Sequence, residues 1–188
     1  MKTILPALII LFLVISCKQT FTPKPRGYHR TDFPAKEYQK FDSTCPFTFE
    51  YPKYGKIQRD MDPNAEPCWI NIAFPEFKAK IHLSYKTIAG SAVQFMEDSR
   101  TLAYKHAIKA DAIDELLVDE PQRKVYGIIY DIRGNAASSI QFYLTDSVRH
   151  FLRGSLYFEA HPNKDSLAPA IDFFRKDMEK LINTVRWK

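Results

Sequence analysis

Glycine is scarce in this chain. Six glycines in 188 residues, against twelve prolines, leave little room for the glycine-rich turns that cradle phosphates. No Walker A, dinucleotide-binding or EF-hand pattern occurs. Cysteine is scarcer, with three residues, too few for a disulfide scaffold. None of the three stands in a C-x-x-C pair, and no two histidines share a metal-ligating spacing, so neither a metal nor a cofactor is expected. The G-x-S-x-G elbow of serine hydrolases is missing as well. What the chain does hold is 45% hydrophobic residues, with fourteen phenylalanines and ten tyrosines. That content excludes wholesale disorder and is ample for one folded domain.

The first residues set the compartment. After Lys2, Ile4 to Ile15 form an apolar run of 12 residues. A bilayer span needs about 20, so this run is too short for a stable transmembrane helix and fits the core of a secretory signal. Val14-Ile15-Ser16-Cys17 follows directly and resembles a bacterial lipobox. On that resemblance residues 1–16 are removed, and Cys17 receives the lipid, palmitate among its acyl chains, and becomes the mature N-terminus. The chemistry needs a thiol nucleophile with a small residue before it. Export would bring Cys45 and Cys68 into an oxidising compartment. A bridge between them would close a loop of about 24 residues, worth roughly 3 kcal/mol in the loop-entropy model. Two buried free thiols are the alternative.

Residues 17–44 read as a lipidated basic tether. Pro23, Pro25 and Pro34 favour extended backbone, which could span at most roughly 90 Å. This stretch carries +3 of the chain's net charge of +5, and residues 45–188 hold 20 basic and 19 acidic side chains. The folded part is nearly neutral, so nucleic acid is not an expected partner. Phe21, Tyr28, Phe33, Tyr38 and Phe41 are unusual in a plain spacer. They suit docking on the chain's own domain or on a partner, with Arg26, Tyr28 and Arg30 as the candidate partner contacts.

Residues 45–188 read as a single α+β domain. Period-two alternation marks strands at Pro46–Tyr51, Cys68–Phe74 and Phe77–Tyr85. Val125–Ile132 and Ala136–Leu144 flank Arg133-Gly134-Asn135 as a hairpin, and Arg149–Ala160 supplies another strand. A helix is expected from an N-cap at Ser91 to about Ile108. A second follows from Asp165 or Ser166 through Val185, with Pro169 in its first turn. The sum is an antiparallel sheet of about six or seven strands with two helices. That order, and the opening F-x-F-x-Y-P, resembles the PsbP/Mog1-type sandwich.

Candidate chemistry is thin. His29, His82, His106, His150 and His161 are scattered over different elements. Asp98, Ser99 and His106 lie on or near one helix, and Asp146-Ser147 with Arg149-His150 reads as a polar turn. No catalytic residue is assigned. The strands Lys78–Lys86 and Arg149–Tyr157 interleave bulky and cationic groups, and would form a recognition surface if one sheet face were left open; otherwise their cations snorkel at an edge.

The blocks PKPRGYHR (23–30), FDSTCPFTFEYP (41–52), CWINI (68–72), KAKIHLSYK (78–86), YKHAIKADAI (104–113), QFYLTDSVRHFLRGSLYF (141–158) and the terminal RWK resemble the gliding motility lipoprotein GldD family of Bacteroidetes. The resemblance implies a membrane-bound envelope lipoprotein required for gliding and associated with the type IX secretion apparatus, with motility and secretion proteins as partners. It implies no enzymatic activity. Only Cys17 carries a defined role. Lys18-Gln19-Thr20 offers no acidic run after the anchor, so an outer-membrane location facing the periplasm is expected. A ligand-sensing or cryptic hydrolytic domain with a pocket near His106 or His150 is the competing expectation.

Overall fold

The computed structural model describes residues 31–160 and 162–188. Cys17, Arg26, Tyr28, His29, Arg30 and His161 lie outside them, and so do the signal and lipid-anchor readings. The first strands are β1 (Tyr38–Phe41), β2 (Phe47–Pro52), β3 (Lys56–Arg59), β4 (Ile70–Phe74) and β5 (Ala79–Thr87). Helix α1 (Val93–Tyr104) comes next, followed by β6 (Ala110–Glu120), β7 (Val125–Gly134), β8 (Ser138–Thr145) and β9 (His150–Phe158). Helix α2 (Lys164–Thr184) and the short β10 (Arg186–Trp187) end the chain. A seven-stranded sheet runs β3-β4-β5-β9-β8-β7-β6, and a three-stranded sheet runs β1-β2-β10. Every pairing is antiparallel.

Alternation in the strands decides what each sheet face meets. Ile81 and Leu83 of β5, Phe142 and Leu144 of β8, and Leu152 and Leu156 of β9 point to one side. There they join Phe47 and Phe49 of β2 and Phe174, Met178 and Leu181 of α2 in one core. Gly154 makes room for it: a Cβ there would sit 2.2 Å from the Phe142 ring. On the opposite side Tyr130, Tyr143 and Phe151 pack with Phe95, Met96 and Ala103 of α1 in a second, smaller core. Cys45 and Cys68 are joined as a disulfide, Cα atoms 5.6 Å apart, tying the start of β2 to the approach to β4.

Two connections share one device. β4 to β5 and β6 to β7 each turn through a single 3₁₀ turn, Pro75–Phe77 and Pro121–Arg123. Proline supplies the first turn residue, where no N–H is needed. Lys78 and Lys124 then take left-handed backbone, φ 46° and 52°, and donate their N–H to the proline carbonyl.

Several expectations need correction. The tether was expected to run to residue 44, but the compact unit starts at Thr31. Its residues 38–41 pair with β2 as β1, where Phe41 gains aromatic neighbours and Tyr38 donates to Asp177. Helix α1 starts from Ala92 with no side-chain cap, not from Ser91, and it stops at Tyr104; Ile108 is exposed. Helix α2 is capped by Asn163, whose side chain accepts from the N–H groups of Asp165 and Ser166. Pro169 is therefore in the second turn, and the carbonyl it leaves without a helical donor belongs to Asp165, an exposed residue. At the other end Arg123 donates to the carbonyls of Ile182 and Val185. Strands β1, β3, β6 and β10 were not expected.

Candidate functional sites

The lead into the domain is clamped rather than loose. Asp177 of α2 is fully buried, and its carboxylate accepts from Lys36 Nζ at 2.7 Å, Tyr54 Oη at 2.5 Å and Tyr38 Oη at 3.1 Å. Lys36 Nζ also donates to the Phe173 carbonyl and sits 3.1 Å from the centre of the Phe173 ring. Burial lowers the Lys36 ammonium from its usual range, with Asp177 opposing. Burial and the Asp177 charge push Tyr38 up to about 12 and Tyr54 further. Phe33 stacks between Phe77 and Phe173, at 5.6 and 4.3 Å between ring centres. Among the aromatics expected to dock, Phe33, Tyr38 and Phe41 do so on the chain's own domain.

The described histidines, His82, His106 and His150, do not assemble into a catalytic group. His150 is buried; its Nδ1 lies 2.8 Å from Tyr85 Oη and its ring stacks flat on Trp187 at 5.1 Å. Burial holds it below the usual histidine value, with Asp146 opposing. Asp146 closes the β8–β9 turn by accepting from the N–H groups of Val148, Arg149 and His150. Its burial opposes ionisation, but those three donors outweigh it and lower its carboxyl. Ser99 lies on the buried face of α1, while Asp98 is exposed and accepts from Gln94 one turn back. His106 follows the helix beside a cavity of 190 Å³ lined by Lys105, Lys109 and Asn135. Among the described residues no three His, Cys, Asp or Glu side chains are grouped to hold a metal.

The two strands singled out for interleaved cations turn out to be neighbours. β5 and β9 pair in register His82↔Ser155 and Ser84↔Arg153. The same register continues through Gln141 of β8, Tyr130 of β7 and Glu115 of β6, and through Asn71 of β4. One polar row therefore crosses six strands on the α1 face. His82 Nδ1 lies 2.9 Å from Asn71 Oδ1 and 3.1 Å from Asp60 Oδ2, at a cavity of 280 Å³ that Lys80, Tyr157 and Glu159 also line. Burial lowers His82, against the pull of Asp60. Arg153 donates to Gln141 Oε1 at 2.5 Å. Gln141 Nε2, Ser155 Oγ and Tyr130 Oη are buried without a partner among the described residues. This row was invisible in the sequence, since it exists only once the strands are paired.

At the far edge of the sheet β6 has β7 as its one strand neighbour among the described residues. Its eleven residues carry five carboxylates and no basic group, and Leu116 and Leu117 are exposed on opposite faces, Leu117 at 79%. No helix among the described residues is long and apolar enough to cross a membrane.

The architecture is that of a PsbP-like α+β domain. Among solved structures, cyanobacterial PsbP (CyanoP) from Synechocystis sp. PCC 6803 is similar at 12% identity. The similarity covers 85% of this chain and 97% of that one, with a TM-score of 0.53, and carries the fold alone. A comparison with curated proteins gave no match. The family model for gliding motility lipoprotein GldD matches residues 18–187, and the chain belongs to that family. It is therefore a gliding motility lipoprotein, lipid-anchored in the cell envelope. Neither likeness names an enzyme.

Proposed function

We propose that this lipoprotein is a non-enzymatic assembly or stabilising factor for the motility machinery and the type IX secretion apparatus linked to it. Acylated Cys17 holds it in the outer membrane, facing the periplasm. The observation that carries this reading is the β6 edge. A long strand edge, unpaired among the described residues and carrying two exposed leucines, invites pairing with another chain. Four of its carboxylates already face cations of this chain, Asp111 with Lys164, Asp114 with Arg133, Glu115 with Arg100 and Glu120 with Arg123. The exposed leucines and Asp119 therefore select the occupant: a strand or loop of an envelope protein of the machinery in which a basic side chain flanks apolar ones. Arg26, Tyr28 and Arg30, in the segment before the domain, add a second contact. The test is crosslinking in whole cells from a photoreactive residue at position 117, with position 172 on α2 as control. Recovery of a motility or secretion subunit from 117 alone supports the reading; equal recovery from both, or none, overturns it. Protease shaving of intact cells tests the orientation, and digestion without permeabilisation would contradict it.

A further inference from the structure

The polar row on the α1 face contains a cation without a counter-charge. Arg153 is largely withdrawn from water, yet among the described residues no carboxylate pairs with it. Lys80 on the neighbouring strand is already answered, since it faces Glu159 at 3.8 Å. A guanidinium taken out of water costs free energy unless charge and hydrogen bonds replace the lost hydration. Here its acceptors among the described residues are neutral, Gln141 Oε1 and the Tyr157 hydroxyl.

The unmatched polar groups around Arg153 are all able to donate. Gln141 has spent its acceptor on Arg153, and its Nε2 can only donate. Ser155 Oγ, two residues from Arg153 on the same face of β9, is buried and free to donate. Tyr157, two residues further on, sets its hydroxyl against Arg153 and lines the 280 Å³ cavity with His82. Guanidinium, amide and hydroxyl donors around an absent acceptor describe a seat for an oxyanion, and the planar fork of arginine suits a two-oxygen partner.

We propose that Arg153, with Gln141, Ser155 and Tyr157, is the receptor for the carboxylate of a small ligand that enters through the cavity lined by His82. Charge selects carboxylate over phosphate. One unneutralised guanidinium matches one negative charge, and Asp60 and Glu159 on the cavity wall would repel a dianion. The site lies away from the β6 edge and does not depend on the interaction role.

The test is calorimetric titration of the full-length chain in detergent with N-acetylglycine and, separately, with inorganic phosphate. Saturable binding of N-acetylglycine is expected, weakened at least about tenfold in Arg153→Met, as loss of a charge-assisted pair implies. Tyr157→Phe, at a half-exposed rim position, should weaken it about fivefold. Gln141→Glu supplies a carboxylate from inside the protein and should abolish binding while raising the melting temperature. If Arg153→Met does not fold, these two variants decide. No saturable uptake of N-acetylglycine overturns the proposal, as does unchanged affinity in Tyr157→Phe and Gln141→Glu. Tighter binding of phosphate than of N-acetylglycine overturns the carboxylate assignment.

Discussion

On one face of the seven-stranded sheet, Ile81, Leu83, Phe142 and Leu152 meet the aromatic side chains of β2 and α2 in a continuous core. On the other, α1 covers Tyr130, Tyr143 and Phe151 and leaves beside them a row of His82, Ser155 and Gln141 in which polar atoms lack partners. The same strands build both faces, so the difference comes from which residue takes each alternate position. The dry face explains stability, because apolar burial is the main favourable term in folding. The polar face costs stability, because buried donors without acceptors are expensive. The contrast separates residues that hold the fold from residues available for recognition.

The sharpest way to break that contrast is Phe174→Ala. Phe174 is fully buried among Phe74, Phe77, Phe158 and Phe173. Its loss should cost about 4 kcal/mol by denaturant unfolding, because transfer and cavity terms add. A cost below about 2 kcal/mol would mean that this core collapses onto the gap. Lys36→Met comes next, at about 3 kcal/mol, since it leaves the buried Asp177 carboxylate without its cation. Limited proteolysis should then cut within residues 31–37 before the domain unfolds; uncut chain would mean that Phe33 and β1 hold the segment unaided. On the α1 side Phe95 is only partly buried, 5.4 Å from Phe151, and Phe95→Ala should cost about 1.5 kcal/mol. Equal costs for Phe174 and Phe95 would erase the distinction between the faces.

Acid should act through the histidines. His150, His82 and His106 are all held below the ordinary value by burial. The unfolded chain therefore binds protons at higher pH than the folded one. The stabilisation is complete above the unfolded value of 6.5 and is lost as pH falls through the folded values. The melting temperature should drop between pH 7 and pH 5, and the drop should be shallower in His150→Gln. An identical pH profile in that variant would assign the effect to His82 in the polar row and to His106 after α1.

Much of this arrangement was legible in the sequence, and the gaps have physical causes. β2, β5 and α2 announce themselves because one of their faces is buried, so apolar residues recur at period two or at three- and four-residue steps. β6 reads ADAIDELLVDE and shows no alternation, because at an edge neither face is fully covered and nothing disciplines the pattern. β1 sits in a proline-rich stretch and has only four residues, too few for periodicity to register. The clamp on Asp177 joins residues 141 apart in sequence. Arg153 was visible as a cation in an apolar strand, but whether it was covered, and what lay beside it, depended on the pairing of β5, β9 and β8. Local pattern tells which way a side chain faces, not which strand comes next to it.

The smallest expected effect on stability belongs to Leu117→Lys, and it is the most informative about function. Leu117 is exposed on the outer strand and touches no core cluster, so unfolding free energy should change by less than about 0.5 kcal/mol. A lysine on an edge strand is a natural block to pairing with another chain. If β6 is where the machinery binds, gliding and the crosslink from this edge should fall together while the melting temperature holds. Loss of gliding with a large loss of stability would move Leu117 into the fold-holding class, and full gliding with a normal melting temperature would return β6 to solvent and leave the recognition role to the polar face.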